Sequence, residues 1–71
     1  METKFISNFL TVVRLGSMSE AARHLDISPA AVAQQMRTLE RELGTPLLVR
    51  HGRSTRPTAG GERLYEKGRL L

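Results

Sequence analysis

Residues 28–43 read SPAAVAQQMRTLEREL, a stretch that organises the rest of the chain. Ser28 ahead of Pro29 marks a helix start: a serine side chain can accept from the first free amides, and proline's fixed φ suits the first helical position. Val32, Met36, Leu39 and Leu43 then recur at i, i+4, i+7 and i+11, one apolar stripe with a 3.6-residue period. Gly44 stands where a left-handed residue stops a helix. The opposite face carries Ala30, Ala31, Gln34, Arg37, Thr38 and Arg41. A helix that enters a nucleic-acid groove needs low relief where it enters, then hydrogen-bonding groups, then cations for phosphate. The same pattern fits an ordinary amphipathic helix with a solvated face, so its neighbours must decide.

Upstream, Lys4–Leu15 predicts a first helix whose wide apolar arc holds Phe5, Ile6, Phe9, Val12 and Val13, and Gly16 ends it. Ser17-Met-Ser-Glu20 has the capping-box pattern, in which Ser17 accepts from the third amide and Glu20 reaches back. The second helix is short, about Ser19–Leu25, and Ala21 and Ala22 leave room for another helix. Asp26-Ile27 forms the turn into the third. Two helices joined by a tight turn, the second with a polar outer face, make a helix-turn-helix; this turn lacks the glycine often found there.

Downstream, Thr45-Pro46 cannot prolong the third helix, and Leu47-Leu48-Val49 is a short run of strand type. Arg50–Ser54 reads as a turn and Thr55–Thr58 as a returning strand, which Pro57 confines to an edge. This hairpin carries three arginines, Arg50, Arg53 and Arg56, within seven residues. Beside a helix-turn-helix, such a wing can set Arg53 in a minor groove. Thr58 can cap a fourth helix running from Ala59 to the end of the chain. Gly61, Leu64, Gly68 and Leu71 fall on it at steps of three and four, a seam expected to pair with a second copy.

The 71 residues form one small domain, near the size where a single core is barely sufficient. With no cysteine, and with His24 and His51 far apart, a disulfide or metal staple is not expected and a partner subunit is. Eleven Lys and Arg against seven Asp and Glu give a net charge of +4 and a pI near 10.7, a balance that suits a polyanion. No stretch approaches the roughly 18 apolar residues of a membrane span, and METKFIS is too polar for a secretory signal. Together these features point to the cytoplasm. There is no glycine-rich phosphate loop, nucleophile motif or paired carboxylate, so neither an enzyme nor a cofactor is expected.

These residues resemble the amino-terminal domain of LysR-type bacterial transcriptional regulators. The resemblance spans nearly the whole chain. It rests on Phe9-x(6)-Gly16-Ser17-Met18-x-x-Ala21-Ala22-x-x-Leu25 and Ile27-Ser28, on Leu39-Glu40-x-Glu42-Leu43-Gly44-x-Pro46-Leu47-Leu48-x-Arg50, and on Pro57-Thr58-x-x-Gly61. It implies a mainly α fold: a winged helix-turn-helix over residues 1–58, with its motif at about 18–37 and its wing at about 47–57. Residues 59–71 would begin a dimerising linker helix, and the effector-binding domain of the complete protein would lie outside the chain. The family's usual recognition-helix opening is Ser-Gln-Pro-Ala-Leu-Ser-Arg-Gln, with DNA contacts commonly at the positions equivalent to 29, 30, 33 and 34. All four differ here: Pro29, Ala30, Ala33 and Gln34. Gln34 could instead pair with an adenine through both ends of its amide.

The expected DNA-binding residues are Ser28, Pro29, Ala30, Ala31, Ala33, Gln34, Arg37, Thr38, Arg50, Arg53 and Arg56. The expected partners are double-stranded DNA with inverted half-sites and a second copy through the linker helix; higher oligomers of the full-length protein stay open. Two other readings compete. One is a winged-helix module that binds an acidic protein, which basicity on both the third helix and the wing argues against. The other makes the fourth helix a coiled coil and the rest its cap, which leaves the arginine-rich hairpin unexplained.

Overall fold

A computed structural model describes residues 3–70. In chain order the elements are α1 (Thr3–Leu15), α2 (Met18–Leu25), α3 (Pro29–Leu43), β1 (Leu48–His51), β2 (Ser54–Pro57) and α4 (Ala59–Gly68). Helices α1, α2 and α3 pack around Phe9, Val12, Ala21, Ala22, Val32, Met36 and Leu39, with Leu47 completing the core from the segment after α3. Ala21 and Ala22 are the buried residues of α2. The winged helix-turn-helix expected from the sequence is the fold observed.

Three of the four helices start at side-chain caps foreseen in the sequence. The amides of Glu20, Ala31 and Gly61 donate to Ser17 Oγ, Ser28 Oγ and Thr58 Oγ1 at 3.1–3.2 Å. Among the described residues the return bond of a capping box, from Ser17 N–H to the Glu20 carboxylate, is not made. The α2–α3 turn manages without glycine because Asp26 takes the left-handed conformation itself, at φ 59°; aspartate tolerates this region better than most residues. Buried polar groups are paired: Asn8 Nδ2 donates to Gln35 Oε1 at 2.6 Å, tying α1 to α3.

Three expectations need correction. Leu43 is 39% exposed and lies outside the core, whereas Leu47 is buried at 1%. Leu47 closes the core beside the last turns of α3 because its N–H donates to Glu40 Oε2 at 2.8 Å, with the Leu48 N–H adding a second bond at 3.3 Å. The hairpin turn is Gly52-Arg53 alone, shorter than Arg50–Ser54: Arg50 pairs with Thr55 and His51 with Ser54. Gly52, at φ 59°, supplies the positive φ that a two-residue hairpin turn requires.

The largest correction concerns α4. Its expected dimer seam faces the chain's own core. Gly61 is buried, and a Cβ there would overlap the Leu47 carbonyl and touch Pro57. Gly68 is buried against Leu10 and Ile6 of α1, with a Cβ falling 3.1 Å from Leu10 Cδ2. Leu64 is half-buried against the core. These three residues are therefore taken within the domain, and Leu71, the fourth, lies outside the described residues. The described helix ends at Gly68, before the end of the chain.

Candidate nucleic-acid interface

Local chemistry places α3 so that one side is closed and the other open. Val32, Met36 and Leu39 bury one stripe, and the Asn8–Gln35 bond fixes the rotation of the helix against α1. Pro29, Ala30, Gln34, Arg37 and Arg41 are left exposed, and Ala31, Ala33 and Thr38 half-buried at the edges of that face. Ser28 is exposed; its Oγ accepts from Ala31, so its hydroxyl hydrogen remains available for an external acceptor. Within the face, Arg37 Nη2 donates to Gln34 Oε1 at 3.1 Å and Thr38 Oγ1 donates to the Gln34 carbonyl at 3.0 Å.

The wing stands beside this face and is held from two sides. Glu40 receives the amides at the start of β1, and Thr55 N–H donates to the Gly16 carbonyl at 2.9 Å. Between α3 and the wing runs an open groove of about 340 Å³ whose walls include Pro29, Ala33, Arg37, Val49 and Arg50. A second groove lies between the wing tip and the start of α2, lined by Ser17, Ser19, Arg23, Arg50 and Arg53. Arg50 borders both.

The strand pleat divides the wing's arginines. Side chains alternate between faces along a strand. Arg50, opposite buried Thr55, is on the body side; Arg56, opposite Val49, is on the other. Arg53 is at the tip. The structure thus brings Pro29, Ala33, Arg37 and Arg50 to the first groove and Arg50 and Arg53 to the second; Ser28, Ala30 and Gln34 are exposed on α3 and line neither. Arg56 borders neither groove, and Ala31 and Thr38 serve α3's own backbone bonding.

Arg23 and the serines at the start of α2 are absent from the residues expected at the site, yet Arg23 is exposed and borders the second groove. Their signal was available: Ser19 and Arg23 are four apart and share a helix face. Among the described residues the one ion pair is Glu66–Arg69 on α4, at 3.8 Å. Among the described residues none of the arginines around the grooves is within ion-pairing distance of a carboxylate, although Glu40 lines the first groove and Glu20 the second.

Residues 4–62 match the family model described as bacterial regulatory helix-turn-helix protein, lysR family. The chain belongs to this family. Among its relatives, the HTH-type transcriptional regulator AbaB of Streptomyces antibioticus is 45% identical over 67 residues, covering 94% of this chain and 22% of that protein. The chain spans less than a quarter of the length of such curated relatives. Its backbone matches the crystal structure of the CbnR_DBD–DNA complex with a TM-score of 0.93 at 36% identity, over 99% of this chain and 80% of that one. The BenM_DBD/benA site 1 DNA complex matches with a TM-score of 0.94 at 34% identity, over 100% and 83%. Among the described residues no helix is long and apolar enough to cross a membrane.

Proposed function

We propose that this chain is the sequence-specific, double-stranded DNA-binding module of a LysR-type transcriptional regulator. The observation that carries the reading is a set of arginines with no ion-pair partner among the described residues: Arg37 and Arg50 at the groove beside α3, and Arg23, Arg50 and Arg53 at the groove between α2 and the wing tip. Cations placed on both sides of a helix face can hold two stretches of phosphate backbone while the helix meets base edges. The similar CbnR and BenM domains in complex with DNA support this reading. Ser28, Pro29, Ala30, Ala33, Gln34 and Arg37 form the α3 part of the interface, and Arg50 and Arg53 the wing part. Ala31, Thr38 and Arg56 lie at its margins. The role is binding, with no reaction at the site, and its place is the bacterial cytoplasm.

One recognition helix reads only a few base pairs, so we infer a homodimer on inverted half-sites, with the two α3 helices one or two helical turns of DNA apart. The end of α4 is the better candidate for the contact, because Leu70 is a large apolar side chain left 83% exposed. An effector-binding domain would belong to the longer protein.

Selection from a random duplex pool tests both statements. The expected product is a recurring motif present in two inverted copies, bound by two chains per duplex in sedimentation. Recovery of unrelated sequences would contradict specific binding. A single motif bound by one chain would contradict the dimer.

A further inference from the structure

Helix α3 and the wing are joined through one residue. The Glu40 carbonyl accepts from the amides of Gly44 at 2.8 Å and Thr45 at 3.2 Å. Its Oε2 accepts from the amides of Leu47 at 2.8 Å and Leu48 at 3.3 Å. Pro46 has no amide hydrogen, so every N–H from residue 44 to residue 48 ends on Glu40. Among the described residues, no other hydrogen bond joins α3 to residues 47–57. The Thr55–Gly16 bond ties the hairpin to the end of α1 instead. Burial of Leu47 fixes where the connection meets the core, but apolar packing has no direction of its own. The paired amides give one, because a hydrogen bond weakens steeply when it is bent.

Glu40 is half-buried and lines the first groove with Arg37 and Arg50, yet it forms an ion pair with neither. A carboxylate at a groove that meets phosphate costs affinity through like-charge repulsion. Its place there is accounted for by the amides it holds. We propose that Glu40 is a positioning residue that fixes the wing relative to α3, so that the wing's arginines and the open face of α3 meet one duplex together. It rests on the DNA-binding reading above and adds how the two parts of that interface are coupled. Glu40 borders the first groove and Arg53 the second. Substitutions at separate sites that share no partner add, whereas these two are linked through the hairpin.

Two substitutions separate reach from charge. Glu40→Asp keeps the charge on a side chain one methylene shorter, and Glu40→Gln loses the charge but keeps an acceptor oxygen at the same reach. Each is combined with Arg53→Ala. Affinity for the duplex selected from the random pool is measured at constant salt, with melting as the monitor of folding. Arg53→Ala should cost about tenfold in the unaltered chain and in Glu40→Gln, and no more than about twofold in Glu40→Asp. Glu40→Asp should itself bind about tenfold more weakly, with a salt slope shallower by about one. A role through charge alone predicts the reverse, tighter binding by Glu40→Gln and no change in Glu40→Asp, and that result overturns the proposal. Equal Arg53→Ala losses in all three chains also overturn it. Hydrogen exchange of the Leu47 and Leu48 amides in the unaltered chain decides the matter should Glu40→Asp fail to fold: protection is expected, and free exchange overturns the proposal. Arg53→Ala without effect in the unaltered chain overturns it while duplex binding stands. Absence of duplex binding from every pool overturns both readings.

Discussion

Helices α3 and α4 both place small residues along one face, and they use that face in opposite ways. On α3 the small residues Pro29, Ala30 and Ala33 point outward while Val32, Met36 and Leu39 close the core. On α4 the small residues Gly61 and Gly68 point inward, and Glu62, Arg63, Glu66 and Lys67 face solvent. A small residue marks a place where something must come close. For α4 that neighbour is the chain itself, the Leu47 carbonyl and the α1 side chains. On α3 Pro29 and Ala30 are left exposed and Ala33 half-buried among the described residues, and in the function proposed above DNA is the neighbour.

The sharpest way to break this contrast is Gly61→Ala. Its Cβ would meet backbone that cannot step aside, so we expect a loss of about 3 kcal/mol, the upper end of ordinary overpacking. For a domain of this size that is a fall in Tm of about 12–24 °C, read by thermal circular dichroism. An unchanged Tm would mean that α4 does not dock through Gly61.

Gln34→Ala probes the open face instead. Gln34 is exposed, so stability should hardly move, while affinity should fall by about 1–3 kcal/mol at one or two base pairs and little on unrelated DNA. Equal losses across a panel of single-base operator variants would show that Gln34 reads no base.

The smallest effect should come from Gly68→Ala. Replacing a helical glycine gains up to about 1 kcal/mol, and the crowded atom is the far end of the flexible Leu10 side chain. The two terms oppose each other, and the net change in unfolding free energy should stay within about 0.5 kcal/mol. A loss as large as that for Gly61→Ala would make the α1–α4 contact far stiffer than its side chains suggest.

The same pair of helices explains what could be read from the chain without coordinates. Ser17, Ser28 and Thr58 declared their helix starts because capping is local chemistry, decided within three residues. The apolar stripe of α3 was equally legible, except that Leu43 lies beyond the elements that would cover it. Spacing alone could not say whether Gly61 and Gly68 approach another copy or their own domain, since periodicity shows that a face is used and not by what. The wing was legible as a hairpin, but its register was not. Arg50 and His51 are strand residues through pairing with Thr55 and Ser54, and the Thr55–Gly16 bond that anchors the hairpin crosses most of the chain. Because of that register Arg50 borders the grooves and Arg56 does not. Arg23 joins the site only through the tertiary approach of α2 to the wing tip.

The central claim is that the unpaired arginines around α3 and the wing meet DNA phosphates, and the salt dependence of duplex binding tests it most directly. Each phosphate neutralised releases counterions and contributes about −0.9 to the slope of log affinity against log salt. If Arg23, Arg37, Arg50 and Arg53 each meet one phosphate, the slope should be about −3 to −4, and Arg53→Ala should make it shallower by about one. An affinity indifferent to salt, or no binding even at low salt, would contradict the account.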